Sequence, residues 1–387
     1  MKENKPNILF LASWYPNTES PQAGNFIQQH ARAISEYANI AVIHVVAITN
    51  LPKTKITTEW NNGIYEVIVY YKKSNTTFPI LTLYNKAKKQ KEAYNTAYQI
   101  ALKEFKQFNL VHLNVVYPAG LFALHLKATH RIPFIITEHW TAFQKTTQNS
   151  FSVIEKYFIK KITCQAKIIC PVSNDLKNAL IDFGIKNKFR VIPNVVNTSI
   201  FQPKANENEK VEILHISNLK DEHKNISGIL NVILNLSSQR DDFTLTIAGN
   251  GDTDKFRKQA EALSIPKDII HFEGEKTAEE VAQLMNKNDA FLLFSNYENL
   301  PCVIAESLVM GLPVLSTDVG GISEMITEDN GILVSKGNEN ELLKELNNLI
   351  DNINNYKSTA IANKAKEIYS YKTVGKNYFS IYESILN

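Results

Sequence analysis

The sequence predicts an α/β protein of two doubly wound domains. Its 387 residues exceed what one typical hydrophobic core accommodates. Short apolar runs alternate with longer helix-like segments, as in parallel sheets covered by helices. A polar stretch, PKANENEK at 203–210, interrupts this alternation. We therefore predict a first domain at residues 1–200, a linker at 201–210 and a second domain at 211–365.

The strands are predicted from the apolar runs. In the first domain the clearest are NILFLA, IAVIHVVAI, LVHLN, PFIIT and KIICPV, and in the second they are EILHIS, TLTIAG, AFLLFS and PVLST. Residues 366–387 place large apolar side chains at helical spacing and predict an amphipathic terminal helix. Ligands of doubly wound sheets bind beyond the carboxyl ends of the strands, so residues that follow a strand are the candidates for function.

The composition excludes several classes of protein. Hydrophobic residues make up 44% and charged residues 21%, as in ordinary globular proteins. The first apolar run, Ile8–Ala12, is too short for a signal peptide, and no run reaches the roughly 18 residues of a membrane span. Cys164, Cys170 and Cys302 form no C-x-x-C pair, which predicts a reducing compartment and no zinc site. We expect a cytoplasmic protein.

Charge is distributed unevenly along the chain. Residues 1–204 carry 25 Lys and Arg against 11 Asp and Glu, a net charge of +14, while the remainder carries −11. A basic first half indicates an anionic partner, such as a phosphorylated acceptor or a membrane surface. No nucleic-acid-binding motif is present, so we predict no nucleic-acid partner.

One basic segment, FPILTLYNKAKKQKEAY from Phe78, sets apolar side chains beside cations. This composition is typical of an interfacial segment, although a solvated helix face beside a core-facing loop explains it equally well. Taken with the charge of the first half, it favours transient attachment to the inner face of an anionic membrane. The lysines predicted to contact the membrane or the acceptor are Lys86, Lys88, Lys89 and Lys91.

Two glutamates follow the predicted strand AFLLFS. Asn299 and Pro301 predict the start of a helix that ends before Gly311. Glu306 then lies inside an apolar helix, where a carboxylate needs strong hydrogen-bond donors such as the vicinal hydroxyls of a ribose. Glu298, on the loop, is placed to meet the sugar or phosphate end of the same ligand. The alternative is two solvated glutamates on an ordinary βα unit.

The segments after two further strands contain glycines. In DVGG, Gly320 and Gly321 allow backbone to approach a ligand, and ISEMI predicts a helix whose start faces an anion. Gly249 and Gly251 form a weak G-x-G after TLTIAG.

The Asp252-Thr-Asp254 sequence has the form of a metal motif. It lies where a helix is predicted to begin, and aspartate is a common N-cap. No other cluster has metal-ligand spacing, so we predict neither a metal nor a cofactor.

The stretch from Ser295 to Glu324 has the pattern S-x-x-E-x-x-P…E-S…G-x-P-V-x-S-T-x-x-G-G-x-x-E, which resembles the retaining glycosyltransferases of family 4 and their E-x7-E motif. VSNDLKNAL and RVIPNVVNTSIF support the resemblance. It implies a GT-B fold, in which two Rossmann-like domains face a central cleft and the C-terminal helix crosses back to the first domain. The implied reaction moves a sugar from a UDP- or GDP-sugar to a saccharide or lipid-linked acceptor with retention, in bacterial surface polysaccharide or glycolipid synthesis.

The resemblance also implies residue roles in the second domain. Glu306 binds the ribose, Glu298 the transferred sugar or its phosphates, and Asn299 and Leu300 lie beside the donor. The family's Gly-Arg pair is replaced here by Ser217 and Asn218, so the guanidinium is missing.

Two lysines are candidates for the phosphate contacts. Lys224 supplies the family lysine for the diphosphate, and Lys220 is the candidate replacement for the missing charge.

In the first domain the resemblance implies that the Gly24 loop approaches the donor phosphates and that His139 lies by the transferred sugar. The predicted catalytic residues are thus His139, Glu298 and Lys224. His112, in the strand LVHLN, is predicted to be structural.

Three alternatives stay open. A sugar-nucleotide epimerase of the same fold would turn over its substrate without an acceptor. A dinucleotide-dependent oxidoreductase is disfavoured because no G-x-G-x-x-G follows a strand. A non-catalytic nucleotide-sugar-binding protein is favoured only by the arginine missing at Asn218.

Overall fold

The computed structural model describes residues 5–74, 79–144, 151–204 and 208–387. Contacts divide the chain into two units. Unit 1 comprises Met1–Pro193 together with Tyr371–Asn387, and unit 2 comprises Asn194–Ser370.

Unit 1 is built on a seven-stranded sheet within the described residues. Its strands are β1 (Asn7–Ala12), β2 (Asn39–Ile48), β3 (Lys55–Asn61), β4 (Ile64–Lys72), β5 (Leu110–Asn114), β6 (Phe134–Glu138) and β7 (Ile169–Pro171). The order is β3-β4-β2-β1-β5-β6-β7, and every pairing is parallel except β3 with β4. The central strand β1 is fully buried from its second residue onward, which accounts for its uninterrupted apolar sequence.

The helices of unit 1 cover this sheet. They are α1 (Asn25–Ser35), α2 (Pro79–Phe105), α3 (Gly120–His130), α4 (Val153–Gln165) and α5 (Asn174–Asp182), with a short 3-10 helix at Thr141–Phe143. Helices α2, α3 and α4 lie side by side, since Tyr94 of α2 stacks on Phe122 of α3 at 5.3 Å and Lys127 of α3 donates to the carbonyl of Gln165 in α4. Right-handed crossovers require this arrangement, because all three helices connect strands in the same direction across the sheet.

The antiparallel hairpin β3–β4 is absent from the strands predicted above. Asn62 and Gly63 connect its strands with φ of 47° and 83°, the left-handed conformations of a type I′ turn. An Asn-Gly pair between two runs rich in β-branched and aromatic residues is a sequence signal for a β-hairpin, so this hairpin could have been predicted. On this edge Glu66 is buried and accepts hydrogen bonds from the Tyr15 hydroxyl at 2.6 Å and from Gln28 at 2.8 Å.

Unit 2 contains a parallel sheet in the order β10-β9-β8-β11-β12-β13. Its strands are β8 (Val211–Ser217), β9 (Phe243–Gly249), β10 (Ile270–Glu273), β11 (Ala290–Leu293), β12 (Val314–Thr317) and β13 (Gly331–Val334). Its helices are α6 (Asp221–Lys224), α7 (Ile226–Ser237), α8 (Thr253–Ala262), α9 (Ala278–Lys287), α10 (Cys302–Val309), α11 (Glu339–Asp351) and α12 (Ser358–Tyr369), with 3-10 helices at Ile322–Glu324 and Ile353–Asn355. Strand β9 and helix α7 supply much of the buried apolar core.

The division between the units differs from the predicted boundaries. It follows Pro193 rather than residue 200, and the predicted linker belongs to unit 2. Phe201 is buried, and the backbone N–H of Lys204 donates to the side chain of Asn286. The described part of the predicted linker is therefore packed within unit 2 and is not an extended connection. Residues 205–207 lie outside the described residues.

The C-terminal helix α13 (Tyr371–Leu386) belongs to unit 1, as the resemblance implied for a helix that returns to the first domain. Tyr382 and Tyr378 are buried, and the Tyr382 hydroxyl lies 2.6 Å from Nδ1 of His112. The other ring nitrogen of His112 lies 2.6 Å from the Thr137 hydroxyl, which also donates to Tyr378. His112 is therefore a structural side chain that ties the sheet to α13, as predicted. Burial lowers its pKa well below the ordinary value.

Candidate functional site

The order of the strands identifies the edge of unit 2 at which a ligand is expected. Strands β9 and β10 are added on one side of β8, and β12 and β13 on the far side of its parallel neighbour β11, so the strand order reverses between β8 and β11 and makes this the topological switch point of a doubly wound sheet. The segment after β8 leads to Lys224, and the segment after β11 leads to Glu298. The fold thus brings together two residues that are 74 positions apart in sequence.

Lys224 and Glu298 form an ion pair through Nζ and Oε1, with side chains only 14% and 10% exposed. The Ser295 hydroxyl donates to the same carboxylate oxygen at 2.7 Å, and Ser295 is fully buried. The two loops are also joined through backbone, since the N–H of Asn296 donates to the carbonyl of His223 at 2.7 Å. A lysine and a carboxylate that were both predicted to contact the donor therefore contact each other.

Glu306 lies in α10, between buried Ala305 and Ser307, and is itself partly exposed. Desolvation by the surrounding protein raises its pKa to about 7. Among the residues that the structure describes, none forms a hydrogen bond or ion pair with its carboxylate. A carboxylate in such surroundings is costly unless a donor reaches it, so Glu306 has unused capacity to accept hydrogen bonds from a ligand.

The start of α10 differs from the prediction. The helix begins at Cys302 with Pro301 in the N-cap position, and no side chain caps it. Asn299 is therefore not the N-cap, because Pro301 disfavours the helical conformation for the preceding residue, Leu300, which would have to be the first helical residue. Gly311 follows the helix with φ of 81°, as predicted for the C′ residue. Asn299 and Leu300 are nearly buried, and their carbonyls accept from Gly321 and from the Asn194 side chain, respectively.

The segment after β12 also differs from the prediction. ISEMI forms only a three-residue 3-10 helix, Ile322–Glu324, so the predicted helix start for an anion is wrong. One short turn aligns too few peptide dipoles to provide such a site. Asp252 does cap α8, since its side chain accepts from the N–H of Lys255 at 2.9 Å, which confirms the N-cap interpretation of that aspartate.

The glycines of unit 2 are required by close contacts between loops. A Cβ on Gly249 would lie 1.8 Å from the Ser217 carbonyl oxygen, and one on Gly251 would lie 2.5 Å from Cβ of Leu219. Gly320 has φ of 59°, and a Cβ there would lie 2.2 Å from the carbonyl oxygen of Glu298. Gly249 and Gly251 therefore allow the loop after β9 to approach the loop after β8, and Gly320 allows the loop after β12 to approach the loop after β11.

The Gly320→Ala substitution is expected to disturb the site and the fold of unit 2. Alanine in a left-handed conformation costs about 1–2 kcal/mol, and the clash with the Glu298 carbonyl adds to that. Gly337→Ala is the matched control, because Gly337 has φ of 69° and a Cβ added there would meet nothing within 4 Å. Urea unfolding should show a larger decrease in the free energy of unfolding for Gly320→Ala than for Gly337→Ala. Equal decreases would mean that the contact with Glu298 does not contribute to the effect of the substitution.

The loop after β8 contains the other phosphate candidates. Asn218 and Lys220 are both exposed, and the Asn218 side chain accepts from the backbone N–H of Lys220 at 3.3 Å. Asn218 therefore stabilises a turn, and Lys220 holds its ammonium group in solvent. The contact of either residue with a donor stays a prediction.

In unit 1, Gly24 precedes α1 and has φ of 66°. A Cβ there would lie 2.6 Å from the Trp14 carbonyl, so the β1–α1 loop folds tightly against itself. The segment after β5, the neighbour of β1 at the switch point of this sheet, contains Val115 with φ of 64°. Such a conformation is rare for a β-branched residue and is typical of functional sites.

His139 follows β6 and is 8% exposed. Its ring contacts those of Phe26 at 4.5 Å and His30 at 5.4 Å, both on α1. Its neighbour Glu138 is buried, and this burial raises the pKa of the Glu138 carboxyl to about 7 despite three backbone N–H donors. The histidine is thus fixed in place at the carboxyl edge of the sheet.

Sequence reasoning missed two residues that support this arrangement. Glu138 accepts from the N–H groups of Val116, His139 and Trp140, all at 2.9 Å, and so joins the loops after β5 and β6. In unit 2, Ser295 supports Glu298 by donating its hydroxyl hydrogen to the carboxylate. Both are polar residues at the last position of a buried apolar run, which is the signal that could have identified them.

The lysines of the basic segment lie on α2. Lys86, Lys88 and Lys91 are exposed, and Lys89 donates to the carbonyl of Lys72 at 3.3 Å. Phe78 lies outside the described residues. None of the described helices is long and apolar enough to cross a membrane.

No three His, Cys, Asp or Glu side chains gather into a potential metal site in the described part of the chain. The predicted absence of a metal and a cofactor stays a prediction.

Comparison with protein families gives two matches that together span most of the chain. Residues 27–200 match the model described as Glycosyltransferase Family 4, and residues 196–367 match that of Glycosyl transferases group 1. The β8/β11 edge lies in the second match, and His139 lies in the first.

Individual proteins agree with these matches. An uncharacterized glycosyltransferase of Methanocaldococcus jannaschii is 31% identical over 262 residues, 66% of this chain and 70% of its own. The O-antigen biosynthesis glycosyltransferase WbnH of Escherichia coli is 28% identical over 276 residues, 69% of this chain and 73% of its own. The structure of Anabaena HepE in complex with UDP superposes with a TM-score of 0.71 at 15% identity, covering 98% of this chain and 100% of that one.

Proposed function

Because the chain belongs to the family-4 glycosyltransferases and has the GT-B fold, we propose that it transfers a sugar from a UDP-sugar to a saccharide or lipid-linked acceptor, with retention of the anomeric configuration and without a metal. The observation that carries this proposal is Glu306. Its carboxylate has no partner among the described residues, lies beside the switch point of unit 2 and has a pKa raised to about 7. Two adjacent ribose hydroxyls would supply the donors that it lacks.

The choice of UDP is supported by HepE, which was solved with that nucleotide. The acceptor class is supported by WbnH, whose name assigns it to O-antigen biosynthesis. We therefore propose a bacterial surface polysaccharide or glycolipid as the product, made on the inner face of the membrane.

The proposed mechanism is same-face substitution. The bond between the anomeric carbon and the diphosphate oxygen breaks, the acceptor oxygen forms a bond to that carbon, and the acceptor proton passes to the departing diphosphate. Lys224 would turn from Glu298 toward the diphosphate and stabilise its developing charge. Glu298 would then accept hydrogen bonds from sugar hydroxyls, and His139 would position the sugar from unit 1.

We propose that further residues of both units contact the donor. Gly24, Gly249, Gly251, Gly320 and Gly321 would bring backbone close to the donor. Lys220 would replace the arginine that is missing at Asn218.

A transfer assay tests the proposal. The protein is incubated with UDP-glucose, UDP-galactose, UDP-N-acetylglucosamine or GDP-mannose, with and without membrane lipid extract, and both nucleotide release and the product's anomeric configuration are measured by NMR. We expect UDP release that the extract stimulates and an axial linkage from an axial donor. An inverted linkage contradicts the proposed stereochemistry. Epimerised nucleotide sugar formed without acceptor supports the epimerase instead, and nucleotide binding without turnover supports the non-catalytic protein.

A further inference from the structure

Helix α4 carries an apolar stripe that is exposed to solvent. Val153 is 84% exposed, Ile154 53% and Tyr157 60%, which makes this the most exposed group of large apolar side chains among the described residues. At 100° per residue the three lie within about 100° of arc on one side of the helix. The opposite side, with Ile159 and Ile162, is fully buried against the unit.

Cations border the α4 stripe. Lys160 and Lys161 are exposed one turn further along, and Nζ of Lys161 lies 6.0 Å from the centre of the Tyr157 ring. Exposed Lys86, Lys88 and Lys91 lie on α2, the helix beyond α3 in the same layer. An apolar stripe followed on the same helix by two exposed lysines has the charge and polarity of an interfacial helix.

The orientation of the sheet relates the α4 stripe to the candidate site. Helices that follow parallel strands begin at the carboxyl edge of the sheet, and the stripe occupies the first two turns of α4. His139 directly follows β6, the strand that precedes this helix, at the same edge. A bilayer that contacts the stripe would therefore lie at the edge of unit 1 that carries His139.

We propose that the α4 stripe inserts into the headgroup region of an anionic membrane, with Lys160 and Lys161 contacting lipid phosphates. The net charge of +14 on residues 1–204 favours the same partner. A lipid-linked acceptor for this membrane-attached protein rests on the proposed function. The attachment itself does not depend on the reaction.

Vesicle flotation tests the attachment without turnover. The intact protein is mixed with vesicles of phosphatidylcholine alone or with about 30% phosphatidylglycerol, a content that gives a strongly negative surface. We expect wild-type protein to float with the anionic vesicles. Val153→Ser/Ile154→Ser/Tyr157→Ser should lower the floated fraction at least fivefold, and Lys160→Gln/Lys161→Gln should remove the preference for anionic lipid.

The control is Ile56→Ser/Ile181→Ser/Ile368→Ser, which removes three apolar side chains of 42%, 47% and 43% exposure from separate places. It should float like the wild type. Flotation that survives the stripe substitutions, or falls equally in the control, overturns the proposal. So does a shift from dimer to monomer in the stripe variant, because the stripe would then cover a second copy of the chain.

Calorimetric titration of UDP on the same variants separates this proposal from the function. If the stripe variant binds UDP as the wild type does but no longer floats with the vesicles, both the membrane attachment and the proposed function are supported. Absence of UDP binding in every protein contradicts the proposed function but leaves the flotation result to decide the attachment.

Discussion

The Glu306→Gln substitution is expected to lower the affinity for UDP about 100-fold. The carboxylate is expected to accept two hydrogen bonds from ribose hydroxyls, and charge-assisted bonds contribute about 1.5–3 kcal/mol each, of which a neutral amide retains only part. Isothermal titration calorimetry measures the change. The matched control is Glu328→Gln, an exposed glutamate of unit 2 outside the β8/β11 loops, which should bind UDP as the wild type does. A change below threefold for Glu306→Gln would contradict its role.

The pH dependence of UDP binding is an independent test of the role of the Glu306 carboxylate. The pKa of Glu306 in the free protein is raised to about 7 by burial, so below that pH the carboxyl is mostly protonated and cannot accept from both hydroxyls. UDP affinity should therefore be constant above about pH 8 and fall as the pH drops through 7, approaching tenfold per unit. Glu306→Gln should lack this part of the profile, while the titration of the diphosphate itself remains in both proteins.

The Lys224→Met substitution is expected to lower kcat by about 100- to 1,000-fold, the usual effect of removing one preorganised donor to a developing negative charge. The substitution also leaves the Glu298 carboxylate, only 10% exposed, without its cation. Initial rates of UDP release measure kcat and KM. Lys258→Met, an exposed lysine on α8, is the control and should leave both unchanged.

Glu298→Gln in the Lys224→Met background separates the two effects of that substitution. If Lys224 acts only by neutralising Glu298, the double variant should regain much of the lost activity. If Lys224 contacts the diphosphate, as proposed, the double variant should be no more active than Lys224→Met. Recovery of activity would therefore contradict the direct role.

The sequence was sufficient to predict the central parallel strands and to select the segments after β8 and β11 as candidates for donor binding. Buried parallel strands such as β1 and β9 are continuous apolar runs, and their carboxyl ends must meet at one edge. Glu306 could be predicted as a candidate because the helix around it is apolar. That helix ends before Gly311, as expected. These features depend on local patterns and on general rules of α/β topology.

The parts that could not be predicted depend on contacts distant in sequence. Residues 322–326 have helical composition, yet the chain turns after Glu324 to reach β13, so only one 3-10 turn forms. The Lys224–Glu298 ion pair could not be predicted, because the sequence motif assigned each of the two side chains to the ligand and not to each other. The exposed stripe of α4 was missed for the same reason, because only the packing of Ile159 and Ile162 shows which side of the helix faces outward.

Calorimetric titration of the intact protein with UDP, GDP, ADP and NAD tests the central claim, that the β8/β11 edge of unit 2 holds a nucleoside diphosphate. We predict that UDP binds at least tenfold more tightly than the other three, and that Glu306→Gln and Lys224→Met each weaken it by at least tenfold. Tight binding of NAD, binding of no diphosphate, or UDP binding that neither substitution changes would contradict the account.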